Sequence, residues 1–268
     1  LPRSRSEGGS LYFLMKPTRA GAAQLGAQYE KSLEQTMKQL LPSYQVESAG
    51  SGPGSDLVIS DGNSSLQIEL KTSSGADFGQ FKMAYEVDKK RWAAVETKGY
   101  LKNEQLYSGI FTNVVKPAMA NKHIDIYKYP KSNLNIKDGV VYGLRRASHT
   151  GRVKRHLQQQ WFGNRTDMNI PVDGSLVQSY YALKGDELIQ IQGRGVYALT
   201  PQAASYFGIS ELKDNVKKSQ ARIRIKPHSS TDGTHSFTCA LKLNLSKSDA
   251  DLTDDEFLVK IKEYLEGT

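Results

Sequence analysis

Cysteine is almost missing from this chain: Cys239 stands alone among 268 residues. That excludes an internal disulfide and any metal knuckle built on paired cysteines. The thiol sits in Phe237-Thr238-Cys239-Ala240-Leu241, a strand-like apolar run, so a buried structural cysteine is expected rather than a nucleophile. Long apolar runs are missing too. None approaches the ~20 residues that a helix needs to cross a bilayer, so no membrane partner is expected. The glycine-rich stretch Gly50-Ser51-Gly52-Pro53-Gly54 lacks the lysine and the following helix of a phosphate loop, which argues against nucleotide hydrolysis. A Gly-x-Ser-x-Gly elbow is absent, which argues against an ester hydrolase. His228 and His235 have no cysteine or third ligand near them in sequence, so they do not read as a zinc site. The lack of disulfides fits a reducing compartment, and the expectation is a cytoplasmic protein.

What is present is positive charge. The formal net charge is +8 and the pI about 9.3, a balance that favours polyanionic partners. Apolar residues at 38% and 14 tyrosines suffice for a core, and the length suits one large domain or two small ones. Residues 1–14 carry two arginines, a Gly-Gly pair and a short apolar run ahead of Met15-Lys16-Pro17. They read as a leader or expression remnant without structure of its own.

Leu25, Tyr29, Leu33, Met37 and Leu40 recur at helical spacing, which predicts an amphipathic helix over 19–41, ended by Pro42. Tyr44 to Ser48 reads as a strand. Leu57-Val58-Ile59 and Leu66 to Lys71 read as two more, joined through the turn-rich Asp61-Gly62-Asn63-Ser64-Ser65. Phe78 to Val95 carries mixed helical signals. Leu106 to Val115 looks extended, and a helix through Trp161 is expected. From Tyr180 a meander of short strands is predicted: Tyr180–Leu183, Glu187–Ile191 and Val196–Leu199. Arg222 to Lys226 alternates basic and apolar residues, as a half-exposed strand does, with His235 to Leu245 as its partner. A last helix over 253–265 is predicted, capped by Thr253 with Asp254, Asp255 and Glu256 in its first turn.

One constellation stands out. Asp56 opens the first strand of the hairpin; after twelve residues, Glu69-Leu70-Lys71 closes the second. An unpaired carboxylate in an apolar strand is costly, so both acids need partners. If the strands pair, two carboxylates and an ammonium converge at one end of a sheet. Such a set can hold a hard divalent cation and polarise a water. The bland alternative is a surface ion pair between Glu69 and Lys71, which share a strand face.

With these residues the chain resembles the PD-(D/E)xK nuclease superfamily, of restriction-endonuclease-like fold. Ser55-Asp56 stands where that family has Pro-Asp, the proline being absent, and Glu69-Leu70-Lys71 matches the second half. Gly26-Ala27-Gln28-Tyr29-Glu30-Lys31-Ser32-Leu33 is similar to the first helix of archaeal-type Holliday junction resolvases, which puts Glu30 in the role of the helix glutamate. The likeness covers about residues 20–82. It implies an α/β fold, a mixed sheet flanked by helices, with a large insertion or a C-terminal lobe. It implies a Mg²⁺ site, with Mn²⁺ as substitute, held by Asp56, Glu69, the Leu70 carbonyl and Glu30. Lys71 would orient or deprotonate the attacking water, and Gln80 would lie near the site.

The implied activity is metal-dependent endonucleolytic hydrolysis of DNA, of restriction or phage type. A structure-selective junction resolvase is the nearest alternative, and a non-catalytic nucleic-acid-binding protein on the same fold is the alternative of another class. The expected division is a catalytic core over 15–95, a basic DNA-gripping insertion over 96–175, and a strand-rich part over 176–268 that completes the core sheet or forms a second lobe. Arg145, Arg146, Arg152, Lys154 and Arg155 form the densest basic run, followed by Lys89, Lys90 and Arg91; both are candidate phosphate contacts. Lys217, Lys218, Arg222, Arg224 and Lys226 make a further basic strip. A homodimer would allow both strands to be cut.

Overall fold

The computed structural model describes residues 21–48, 55–73, 75–95, 115, 134–145, 155, 158–159, 163, 165, 167–227 and 234–267. Helical spacing builds the first element, α1 (Ala22–Leu40), which buries Leu33 and Met37 one turn apart, followed by Leu41 just past its end. Leu25 and Leu40 stay exposed, so the buried stripe ends on Leu41 instead of Leu40. Strands β1 (Gln45–Ser48), β2 (Leu57–Ser60) and β3 (Ser65–Lys71) follow as an antiparallel meander. Asp61 holds the β2–β3 turn by accepting the amides of Asn63 and Ser64.

Phe78 to Val95 forms no helix. It is a hairpin of β4 (Phe78–Glu86) and β5 (Arg91–Val95). Phe81 and Met83 point into the core while Gln80 and Lys82 lie at intermediate depth, a period of two that the scattered aromatics masked. Then come β6 (Leu134–Lys137), β7 (Val140–Arg145) and β8 (Asp167–Pro171). The predicted strand over Tyr180–Leu183 is instead the second half of a helix, α2 (Ser175–Lys184). Val177, Tyr180 and Tyr181 are buried at helical spacing, so packing overrides the β preference of the tyrosine pair.

Next come β9 (Leu188–Ile191), β10 (Gly195–Ala198), the short helix α3 (Pro201–Phe207), β11 (Val216–Pro227), β12 (Thr234–Leu245) and α4 (Asp255–Glu266). The N-cap of α4 is Asp254, not Thr253, whose hydroxyl is held by Asp251. The predicted strand over Leu106–Val115 and helix through Trp161 lie almost entirely outside the described residues, as does the leader.

Two sheets result, in a mixed α/β arrangement. The first has the order β1-β2-β3-β9-β10, with β3 and β9 parallel and its other neighbours antiparallel. The second is antiparallel and gathers β5, β4, β7, β12, β11 and β8, with β6 on β7. The strands after α2 are therefore shared: β9 and β10 extend the first sheet, while β11 and β12 join the second beside β4 and β8. One face of the first sheet packs Leu57, Ile59, Leu66, Ile68 and Leu70 against Leu33 and Met37 of α1 and Leu258 and Ile261 of α4. Its other face packs Ile189 and Ile191 with Val177, Tyr180 and Tyr181 of α2 and with Phe78, Ile223 and Cys239 of the second sheet. The Cys239 thiol is buried there, and burial pushes it up to about 12.

Candidate functional site

Alternation along β3 decides where the charged residues go. Leu66, Ile68 and Leu70 turn toward α1, leaving Glu69 and Lys71 on the face that α2 covers. Asp56 lies just before β2, and its Oδ2 accepts the Leu70 amide at 2.9 Å. Lys71 Nζ bonds Glu69 Oε1 and stands 3.6 Å from Asp56 Oδ2. Asp56, Glu69 and Lys71 thus meet at the end of the hairpin. Glu69 is only 3% exposed.

A second cation completes the cluster. Lys184 Nζ reaches the other oxygen of Glu69, Oε2, at 2.5 Å and faces Asp186 at 3.4 Å. The end of α2 makes this geometry. Gly185, at φ +98°, donates its amide to the Ala182 carbonyl, and Asp186 donates to the Tyr181 carbonyl, the paired bonds of a Schellman ending. The helix therefore stops at Lys184, and the chain turns Lys184 and Asp186 to the same side. Tyr181 lies beneath both lysines, whose Nζ atoms stand 5.5 Å and 5.4 Å from its ring centroid. Its hydroxyl accepts the Gly79 amide at 3.1 Å, which ties the site to β4.

The electrostatics follow from burial and crowding. Burial raises Asp56 to about 7, aided by the Glu69 charge and opposed by Lys71, the Leu70 amide and Lys184. Burial would also raise Glu69, yet Lys71 and Lys184 together hold it below its ordinary value. Burial would lower both lysines, but the carboxylates raise them, so both are ammonium ions at neutral pH. Burial pushes Asp186 up to about 6 against the pull of Lys184. Its oxygens accept no hydrogen bond of good geometry, although the Ser55 hydroxyl, which donates to Gln67 at 2.9 Å, lies near enough to favour its charge.

Glu30 is half-buried on α1. Its carboxyl is raised by burial, lowered by the Lys71 charge and raised by that of Glu69, without an ion pair to Lys71. Gln80 belongs to β4 in the second sheet, opposite Ala240 and next to Gly79. Leu70 buries its side chain and contributes its amide to Asp56. The sequence alone does not mark Lys184 and Asp186, because Lys184-Gly185-Asp186 reads as a turn between strands. The spacing of Val177, Tyr180 and Tyr181 ahead of Gly185 was the signal for a helix end.

Among the described residues, no three His, Cys, Asp or Glu side chains gather as a metal cluster. The donor set is two carboxylates, Asp56 and Glu69. It fits a cation of the Mg²⁺ type, which needs one or two carboxylates and takes its other oxygens from water and phosphate. Asp56 leans toward protonation partly because of Glu69, and a divalent cation between them would relieve that repulsion.

Of the basic candidates, Arg146, Arg152 and Lys154 lie outside the described residues. Arg145 ends β7 opposite Thr234, and Arg155 is exposed. Lys89, Lys90 and Arg91 form the turn and strand start between β4 and β5, with Lys89 exposed and 3.4 Å from Glu86. Two members of the third strip are engaged internally: Arg222 pairs with Asp77 at 2.5 Å, and Arg224 grips Asp167 through two nitrogens.

Neither a protein-family model, nor a curated protein, nor a solved structure matches this chain significantly.

Proposed function

We propose that the protein is a metal-dependent nuclease that hydrolyses DNA phosphodiester bonds, with Asp56, Glu69 and Lys71 at its centre. The observation that carries this reading is the convergence of those three side chains at one sheet end. A helix followed by an antiparallel hairpin in a mixed sheet flanked by helices supports the PD-(D/E)xK assignment. The basic balance of the chain supports a nucleic-acid substrate.

A divalent cation bound there would activate a water and neutralise phosphate charge. Asp56 and Glu69 would hold it, and Glu30, which feels Lys71 and Glu69 electrostatically, would act through water. Lys71 would orient the attacking water or take its proton, and would stabilise charge on the phosphorane. A second reading, a binding protein on the same fold, draws on one observation: both oxygens of Glu69 are occupied by lysines, as in a structural ion cluster.

Cleavage of circular and linear DNA with Mg²⁺ or Mn²⁺ separates them. The expected result is nicking or linearisation of circles by wild type, lost by a factor of at least ~100 in Lys71→Ala. Equal activity in the two proteins would remove Lys71 from the site. No cleavage of circles, linear DNA or four-way junctions would favour the binding protein.

A further inference from the structure

Lys71 already neutralises Glu69, so a second ammonium on the same carboxylate calls for an explanation. Lys184 Nζ occupies Glu69 Oε2, the oxygen that Lys71 leaves free. Each lysine also has another carboxylate within reach: Lys71 has Asp56 at 3.6 Å, and Lys184 has Asp186 at 3.4 Å. The two alternatives are not equivalent. Asp56 is a candidate cation ligand, whereas Asp186 has no solvent exposure and pairs with Lys184. Asp186 is a second anion for Lys184, held two residues away by the glycine turn that ends α2.

A cation that takes Glu69 Oε2 must displace an ammonium from it. Two positive groups cannot share one carboxylate oxygen at close range in a poorly solvated site. Lys184 can yield without losing its ion pair, because Asp186 stays beside it. We infer that Lys184 is a positioning residue: it occupies Glu69 Oε2 until the divalent cation arrives, then falls back on Asp186, and so sets the affinity of the site for its cation. This rests on the nuclease reading above.

The test is calorimetric binding of Ca²⁺ to the full chain. It compares wild type, Lys184→Arg, Asp56→Asn and the double variant Lys184→Met/Asp186→Asn. The double variant removes the pair together, so no unpaired buried charge is left to unfold the chain, and the local net charge is unchanged. The expected result is Ca²⁺ binding about tenfold tighter in the double variant, because the competitor for Oε2 has gone. Lys184→Arg, which keeps both charge and counterion, should bind within about threefold of wild type.

A double variant that melts like wild type but binds Ca²⁺ equally or more weakly would overturn the inference, since a merely structural lysine would give that result. A larger change in Lys184→Arg would overturn it too. The nuclease reading is judged separately, by wild type against Asp56→Asn. Binding in the first and none in the second upholds that reading whatever Lys184 does, whereas no binding in either wild type or the double variant removes both.

Discussion

Asp56, just before β2, and Glu69, near the end of β3, are neighbours, yet their surroundings push them in opposite directions. Asp56 is raised to about 7 by burial and by Glu69, so without metal its proton favours the folded state. That contribution is complete below the unfolded value of 3.8 and is lost as pH rises through about 7. Glu69 is lowered, so its contribution is present at neutral pH and lost in acid. Asp56→Asn should therefore be more stable than wild type at pH 8, by ~2 kcal/mol in metal-free buffer, with the gap closing toward pH 4. Urea unfolding across that range checks it, and a gap that widens in acid would contradict the assignment. The two acids and Lys71 could be read from sequence because strand alternation and a short hairpin bring them together within sixteen residues. Lys184 could not, because it is 115 residues from Glu69 and nothing local marks the contact.

Among the elements, β4 and α2 are joined at one glycine. Gly79 is the extra residue of a β-bulge, since Phe78 pairs with Leu241 and Gln80 with Ala240. It sits at φ +58°, and a Cβ there would come within 3.1 Å of the Tyr180 ring. Gly79→Ala should destabilise the fold by ~2 kcal/mol, through the left-handed backbone and the contact with Tyr180. It should also loosen the bond from the Gly79 amide to Tyr181 that supports both lysines. Denaturant unfolding would show the first effect; a loss below about 0.5 kcal/mol would mean that the bulge relaxes freely. The elements readable in advance were those with one clean period, such as α1, the β2–β3 hairpin and the β11–β12 pair. Those misread, β4 and the second half of α2, are dense in aromatics, whose β preference says little about period; only the packing of Tyr180 and Tyr181 under the site decides for helix.

For the whole molecule, a net charge of +8 means that DNA binding, under the proposed function, should weaken steeply with salt. The structure sorts the cations that could contribute. Lys89 is exposed in the β4–β5 turn, so Lys89→Ala should lower the slope of affinity against salt by at most ~1 if it meets a phosphate. Arg222 is engaged with Asp77, which also binds Lys242 at 2.8 Å. Arg222→Ala should therefore leave the slope unchanged and cost ~2 kcal/mol of stability. Fluorescence anisotropy at several salt concentrations, beside thermal melts, tests both, and a flattened slope in Arg222→Ala would show that the pair opens on DNA. Basic runs are visible in any sequence, but whether an arginine faces solvent or an aspartate across the sheet is set by strand pairing. The parallel pairing of β3 with β9 spans the whole of β4 to β8. Its closure bears the entropy of a loop of more than a hundred residues, repaid only when α2 and β9 dock. During synthesis, then, the hairpin bearing Asp56, Glu69 and Lys71 emerges long before Lys184 and Asp186, and the enclosed cluster of charges cannot exist until residues near 191 have left the ribosome.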